Sequence, residues 1–283
     1  MYRQLVVAIM RNLFQDLPRW VAILSLTMLP AVAGNAQEAT FINVEGKKVH
    51  YVMTEGKSPT VVFVSGLGEA HETWEPVQKA LHGLMTISYD RPGLGLSAPA
   101  VGRRDAKTLA RELHDMLAAL KVKPPYLLVG HSLGGAVVQI YANWYPQETR
   151  ALVLVDPEDG RLIKKVKEHL SKDEWDRRAA AVAQYAPLNA QQQREMDKAE
   201  ASGNEVAEIH RLPNVPIVLF TGTQMNPEFP GNIIEQNLKI EMHRQLMADN
   251  PQMEQVLVPE SRHYVHDEKP EVVIAAIKKF ASQ

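Results

Sequence analysis

The 283-residue sequence contains no cysteine. This absence excludes disulfide bonds, a thiolate nucleophile, a zinc site built on sulfur ligands and a lipid-modified N-terminal cysteine. An excess of charge is also missing, because 31 basic and 33 acidic residues leave a formal net charge of −2. The sequence therefore lacks the electrostatic footprint of a protein that binds nucleic acid or an anionic membrane surface.

An apolar run near the N-terminus, Trp20–Leu29, is shorter than an ordinary membrane span. Three arginines precede this run and small residues follow it, an order typical of a secretory signal peptide. We expect residues 1–36 to direct export and to be removed after Ala33 or Ala36. The mature protein would then be periplasmic or secreted, without a membrane span. An uncleaved N-terminal anchor is the alternative, because the arginine-bearing segment is unusually long and contains Asp16.

After residue 39, short apolar runs typical of buried strands alternate with segments of helical spacing. This alternation predicts an α/β fold with a mostly parallel sheet covered by helices on both faces. The predicted strands are Thr40–Val44, Lys48–Met53, Thr60–Val64, Met85–Tyr89, Tyr126–Val129, Ala151–Val155, Ile217–Phe220 and Gln255–Val258. The predicted helices are Thr73–His82, Thr108–Leu120, the segment after Ser132, Ile233–Met247 and Pro270–Phe280.

One long segment, residues 157–212, carries many charges and a glutamine-rich patch and contains no run typical of a strand. It predicts two or three surface helices inserted between strands as a small cap. The core would then consist of residues 37–156 and 213–283.

Polar or glycine-rich segments follow most of the predicted strands directly. In a parallel sheet the carboxyl ends of the strands meet at one edge, where ligands bind. We therefore expect residues that are far apart in sequence to converge there. These are Ser65–Gly68, Asp90, Ser132, Asp156, Thr221–Asn226 and His263.

The segment Gly130–Gly134 has the pattern Gly-x-Ser-x-Gly between a predicted strand and a predicted helix. A chain that passes from strand to helix within a few residues holds the side chain between them in a tight, strained turn. The pattern predicts that the hydroxyl of Ser132 is exposed on such a turn. Gly130 and Gly134 would let the helix pack closely against the strand.

Together with Ser65–Gly68, the loop Asp90–Ser97 and His263 ahead of the closing helix, this turn resembles the α/β-hydrolase superfamily. The resemblance covers nearly everything after Thr40. It implies an eight-stranded, mostly parallel sheet flanked by helices on both faces, with a helical cap over the site. It also implies nucleophile, acid and histidine in that order along the chain, and no metal or organic cofactor.

The resemblance implies that Ser132 is the nucleophile, activated by a base that takes its proton. An aspartate at this position would instead indicate the dehalogenases or epoxide hydrolases of the superfamily. His263 is the expected base because it follows the last strand and precedes the closing helix, and His266 is the alternative. Arg262 stands where the superfamily commonly has glycine.

Two residues are candidates for the acid of the catalytic triad. Many relatives carry it after the strand here predicted as Ile217–Phe220, but the loop Thr221–Glu228 contains no aspartate. Asp156 ends the preceding strand, where some lipases and esterases of the superfamily place their acid. Adjacent parallel strands lie about 5 Å apart, so either loop can reach the same imidazole. We expect Asp156 to be the acid, with Glu228 as the alternative, although Asp156 could also simply cap the first cap helix.

The backbone N–H groups of Leu67 and Leu133 are the expected oxyanion hole, and Asp90 and Arg91 are expected to brace the fold. The sequence therefore predicts a serine hydrolase that cleaves a small-molecule carboxylic ester. An esterase is favoured over a lipase, because the cap lacks the apolar stripe of an interfacial lid. One alternative is hydrolysis of an amide, lactone, thioester or C–C bond by the same machinery. The other is a catalytically inactive hydrolase fold that acts as a binding protein.

Overall fold

Eight strands form one sheet in the computed structural model, which describes residues 39–157, 159–185, 188–225 and 231–283. The strands are β1 (Thr40–Val44), β2 (Lys47–Thr54), β3 (Lys57–Val64), β4 (Leu84–Tyr89), β5 (Tyr126–His131), β6 (Thr149–Val155), β7 (Ile217–Gly222) and β8 (Met253–Val258). Their order is β1-β2-β4-β3-β5-β6-β7-β8. Strand β2 pairs antiparallel with β1 and β4, and every other pair is parallel. The predicted α/β fold with a mostly parallel, eight-stranded sheet is confirmed.

The helices of the described residues are α1 (Glu75–Lys79), α2 (Ala106–Ala119), α3 (Leu133–Trp144), α4 (Arg161–His169), α5 (Lys172–Tyr185), α6 (Ala190–Met196), α7 (Ala199–Ala207), α8 (Asn232–Asp249), α9 (Val265–Glu268) and α10 (Pro270–Ala281). Helices α4 to α7 follow β6 and precede β7. The helix expected at Thr73–His82 is instead a 3₁₀ turn, His71–Trp74, followed by the short α1. Pro76 has no N–H to continue a hydrogen-bond ladder from the preceding turn, and it lies in the first turn of α1, where a proline is tolerated.

The central strands are buried on both faces, and their successive side chains point to opposite sides of the sheet. In β3, Val62 and Val64 pack into one core, and Val61 and Phe63 pack into the other. The first core is completed by Leu109, Leu113, Val137 and Ile140 from α2 and α3, and the second by Trp74, Val77, Val273, Ile277 and Phe280. Burial of each such side chain contributes about 1.5–3 kcal/mol, so this layering holds the strand ends in fixed relative positions.

Within the described ranges, no helix combines the length and apolar character that a membrane crossing needs. The predicted signal segment, residues 1–36, lies outside the described residues.

Candidate active site

Ser132 lies in a strained turn between β5 and α3, with φ 52° and ψ −120°. The turn requires close packing of backbone on backbone. A β-carbon added to Gly134 would lie 2.1 Å from the carbonyl oxygen of Val64, and one added to Gly130 would lie 2.4 Å from that of Gly134. Only glycine fits at these two positions, which explains why a serine between two glycines can occupy this turn.

The prediction that Ser132 is exposed is wrong for this structure, because the residue is only 3% exposed. Helix α7 packs against α3, the helix that begins next to the serine. The two predicted oxyanion residues, Leu67 and Leu133, line a small cavity together with Gly160, Ala199 and Ser202 from the α4–α7 segment. The α4–α7 segment therefore lies close to the start of α3, next to the serine turn.

His263 and Asp156 are in direct contact. The Nδ1 atom of His263 lies 2.7 Å from Oδ2 of Asp156, which is fully buried at the end of β6. This contact fixes the imidazole with Nδ1 toward the carboxylate, the orientation in which Nε2 is the proton-transferring atom of a general base.

Two further donors hold the carboxylate of Asp156. The backbone N–H of Gly222 donates to Oδ1 at 3.0 Å, and Nζ of Lys239 donates to Oδ2 at 2.8 Å. Burial alone would raise the pKa of Asp156, but the hydrogen bond from His263 and the charge of Lys239 outweigh it and lower the pKa below its ordinary value. Asp156 is therefore ionised near neutral pH.

The loop that carries His263 is pressed against the end of β7. A β-carbon on Gly222 would lie 1.6 Å from the carbonyl oxygen of Arg262. The backbone N–H of Arg262 donates to Oε2 of Glu268 at 2.6 Å, and the hydroxyl of Ser261 donates to the same oxygen at 3.0 Å. Glu268 therefore holds the turn before His263, where this chain has Arg262 and the superfamily commonly has glycine.

His131, which precedes Ser132, links the turn to the histidine loop. Its Nε2 lies 3.1 Å from the carbonyl oxygen of His263, and its Nδ1 lies 3.1 Å from Oε2 of Glu69. The two imidazole rings have their centroids 4.7 Å apart. Burial would raise the pKa of Glu69, but the hydrogen bond and charge of His131 and the N–H of Gly66 lower it to about 2. The residue beside the candidate nucleophile thus contacts the candidate base.

His266, the alternative base, lies in a different environment. Its Nε2 is hydrogen-bonded to Oγ1 of Thr73 at 3.0 Å, and its ring lies 4.4 Å from that of Trp74. Burial lowers the pKa of His266 to about 3. The histidine that contacts Asp156 is His263, so His263 is the better candidate for the general base. The alternative acid, Glu228, lies outside the described residues.

The loop that carries Leu67 is anchored by a buried ion pair. The guanidinium of Arg91 donates to the carbonyl oxygens of Ser65 and Gly66, both at 2.6 Å, and forms two hydrogen bonds of 2.8 Å with Glu195 of α6. Glu195 also accepts the N–H of Gly68 at 2.9 Å. Arg91 therefore braces the loop as expected, and one partner in that role comes from the α4–α7 segment.

Three functional candidates have no sequence signal that identifies them: Glu69, Glu195 and Lys239. Their partners lie 62, 104 and 83 residues away. Spacing along the chain cannot show contacts of this kind, because the contacts depend on which loops meet.

Two groups of side chains within the described residues have the donor types of a metal site, with ligand atoms within 4.8 Å of one another. In the group of His50, His71 and Asp90, both Nδ1 atoms lie 2.9 Å from the carboxylate of Asp90. The other group is Glu69, His131 and His266. Hydrogen bonds among the side chains of the first group account for its arrangement without an ion, consistent with bracing by Asp90.

Residues 61–276 match the alpha/beta hydrolase family. The chain belongs to this family. The match spans the sheet from β3 onward, the strained serine turn, and the Asp156–His263 pair. The protein is therefore a member of a family of hydrolases, which agrees with the resemblance found in the motifs.

Three individual relatives share less than a third of their aligned residues with this chain. The chain is similar to the uncharacterized protein YqjL of Bacillus subtilis (strain 168), with 28% identity over 83% of this chain and 88% of that protein. It is 29% identical to monoacylglycerol lipase ABHD6 of Homo sapiens, over 40% of this chain and only 36% of that protein. Among solved structures, the enol-lactonase from Burkholderia xenovorans LB400 superposes with a TM-score of 0.64 at 16% identity, covering 86% of this chain and 100% of that one. A likeness at this identity shows the shared fold.

Proposed function

We propose that the protein is a serine hydrolase that cleaves a carboxylic ester through an acyl-enzyme intermediate. One observation carries the proposal: the fully buried carboxylate of Asp156 lies 2.7 Å from Nδ1 of His263, at the sheet edge where the strained turn presents Ser132. This order of nucleophile, acid and histidine is that of the family.

In the proposed reaction, Oγ of Ser132 attacks the ester carbonyl carbon while Nε2 of His263 takes its proton. The negative charge of Asp156 stabilises the imidazolium that forms. Collapse of the tetrahedral intermediate breaks the bond to the alcohol oxygen, which receives the proton from His263. Water then attacks the acyl-enzyme with His263 again as base, and releases the acid and the free serine.

The oxyanion that forms during each attack needs hydrogen-bond donors. The proposed donors are the backbone N–H groups of Leu67 and Leu133, whose side chains line one cavity beside the serine turn. Loss of one such donor typically costs about 3–4 kcal/mol of transition-state stabilisation. The Arg91–Glu195 pair supports this role, because it fixes the loop on which Leu67 lies.

The substrate is proposed to be a small-molecule ester with a short acyl group, because the cavity beside Leu67 and Leu133 is small. The names of two similar proteins, a monoacylglycerol lipase and an enol-lactonase, support an ester or lactone bond. A series of p-nitrophenyl esters of increasing chain length tests this point. Highest kcat/KM for acetate or butyrate is expected, and a maximum at long chains would contradict it.

A fluorophosphonate probe tests the nucleophile directly. We expect labelling of the wild-type protein at neutral pH and none of Ser132→Ala. Folded protein that hydrolyses no ester and is not labelled would contradict the proposed function and favour the binding-protein alternative. Labelling that persists in Ser132→Ala would place the nucleophile elsewhere.

Export is a separate proposal, supported by the arginines and the apolar run of residues 1–36. The test is expression of the sequence from Met1 in a Gram-negative host, followed by fractionation and N-terminal sequencing. A periplasmic chain that begins at Gly34 or Gln37 is expected. A chain that keeps Met1 in the membrane fraction would identify the segment as an anchor.

A further inference from the structure

The buried side of helix α8 is polar where an apolar stripe is usual. Its buried residues are Gln236, Lys239 and His243. The spacing of three and four residues puts all three on one face of the helix. A lysine on such a face is rare unless it is paired with an opposite charge, since burying an ammonium group is costly. The polar stripe therefore needs partners on the sheet edge.

The partners of these three side chains lie at the ends of β6 and β7. Gln236 donates to the carbonyl oxygen of Gly222 at 2.7 Å, and Lys239 donates to the same oxygen at 3.1 Å. Lys239 also donates to Oδ2 of Asp156 at 2.8 Å, and its side chain is only 11% exposed. Nε2 of His243 lies 3.0 Å from the carbonyl oxygen of Pro157. Helix α8 thus holds the backbone and the carboxylate beside the histidine loop.

Lys239 and His263 share a single oxygen atom, Oδ2 of Asp156, at 2.8 and 2.7 Å. A positive charge on Lys239 therefore lies close to any positive charge that forms on His263. Like charges held on one carboxylate oxygen disfavour protonation of the second group. The lysine also offsets part of the carboxylate charge that would otherwise favour an imidazolium.

Other titratable groups face His263 from neighbouring elements, and their contributions must be separated from that of Lys239. Burial lowers the pKa of His243, so it is neutral near pH 7. The pKa of His266 is lowered to about 3, so it is neutral as well. Within the described residues, the titratable groups around His263 are Asp156 after β6, His131 on β5, Lys239 and His243 on α8, Tyr264 just before α9 and His266 on α9.

We propose that Lys239 is a positioning residue for Asp156. Its charge keeps His263 unprotonated at lower pH than the histidine of a triad whose carboxylate has no cation beside it. The role of Lys239 rests on the proposed function of Asp156 and His263. It extends the working range of the base toward acid, because a general base acts only in its neutral form.

The test measures the titration of His263 itself. NMR monitors the Cε1–H resonance of His263 as a function of pH in the wild type, Lys239→Met and Lys239→Arg. The resonance is assigned by its loss in His263→Asn. We expect the titration midpoint to rise by about one pH unit in Lys239→Met, where the charge is lost, and to stay close to wild type in Lys239→Arg. The acid limb of kcat/KM for p-nitrophenyl acetate should move in the same direction.

Lys279→Met is the matched control, since Lys279 pairs with Glu254 on the surface and its side chain is 58% exposed. This variant loses the same charge and should leave the His263 midpoint unchanged. An unchanged midpoint in folded Lys239→Met would overturn the inference and leave Lys239 a purely structural role. A shifted midpoint in a protein that hydrolyses no ester would contradict only the proposed function.

Lys239→Met could fail to fold, and Lys239→Gln then provides a neutral donor for the same measurement. If neither variant folds, Asp156→Asn is compared with Asp156→Asn/Lys239→Met, in which no buried charge is left unpaired. The midpoint should be lower where the lysine is present. Equal midpoints would overturn the inference.

Discussion

The imidazole of His263 lies 2.7 Å from the carboxylate of Asp156, although 107 residues separate the two in the chain. The contact exists because β6, β7 and β8 are neighbours in the sheet and the loops after their carboxyl ends meet at one edge. The loop Thr221–Glu228, after β7, contains no aspartate, and the carboxylate that contacts His263 comes from the end of β6 instead.

Asp156→Asn should reduce kcat for ester hydrolysis by about 10³–10⁴-fold, because asparagine cannot stabilise the imidazolium by charge. Circular dichroism should show an intact fold. Glu228→Gln is the comparison, and we expect its kcat to stay within about twofold of wild type. A larger loss in Glu228→Gln than in Asp156→Asn would show that Asp156 is not the acid.

Gly222→Ala should displace the loop of His263, since the added β-carbon would lie 1.6 Å from the carbonyl oxygen of Arg262. A misplacement of about 1 Å commonly costs about 10²-fold in rate, and we expect a fall in kcat of that order. Gly46→Ala serves as control: Gly46, unlike Gly222, has a positive φ, and a β-carbon added there meets nothing within 4 Å. It should lose about 1 kcal/mol of stability and keep its kcat. Unchanged kcat in Gly222→Ala would mean that the loop tolerates the shift.

Arg91→Met and Glu195→Met should each lower the free energy of unfolding by about 3–5 kcal/mol, because each leaves one buried charge unpaired. The double variant should regain much of that stability. Its kcat should nevertheless fall by about 10–100-fold, since the ion pair no longer anchors the loop that carries Leu67, a proposed oxyanion-hole donor. Urea unfolding and kcat with p-nitrophenyl acetate provide the two measurements.

The exposed pair Lys107–Glu208 is a control for that double variant, because it too joins the α4–α7 segment to the rest of the fold, in this case from Lys107 on α2 to Glu208 just after α7. Replacing both of its residues by methionine should leave kcat unchanged. Full activity in Arg91→Met/Glu195→Met would show that the loop is held without the ion pair.

Glu69 should make stability depend on pH in the acid range. Its pKa is about 2 in the folded protein, below its ordinary value of 4.5. The unfolded state binds more protons between these values, so the stabilisation is complete above about pH 5 and is lost as the pH falls toward 2. Between pH 5 and pH 3, the wild type should lose about 2 kcal/mol more stability than Glu69→Gln. Urea unfolding followed by tryptophan fluorescence measures the difference.

Glu254→Gln controls for removal of a carboxylate, since the side chain of Glu254 is 59% exposed and its pairing with Lys279 is at the surface. Its stability should follow the wild-type pH dependence. Identical pH dependence in Glu69→Gln and wild type would show that the Glu69–His131 contact contributes no net stability.

The strands could be predicted from sequence because each is a local pattern. Thr40–Val44 has the predicted bounds, and the last helix, Pro270–Ala281, ends within one residue of its prediction. The turn at Ser132 could also be predicted, since glycine, serine and glycine between strand and helix are a local signal. The burial of Ser132 could not be predicted, because it depends on how distant parts of the chain pack around the turn.

The sequence by itself determined the elements, their order and the residue types that arrive at the sheet edge. The tertiary structure decided which of these residues meet: His263 rather than His266 on Asp156, Glu195 on Arg91, and Lys239 on the same carboxylate oxygen as His263. The reason is physical. Periodicity acts over a few residues of chain, whereas a hydrogen bond or an ion pair requires atoms about 3 Å apart in space, and only packing brings distant residues that close.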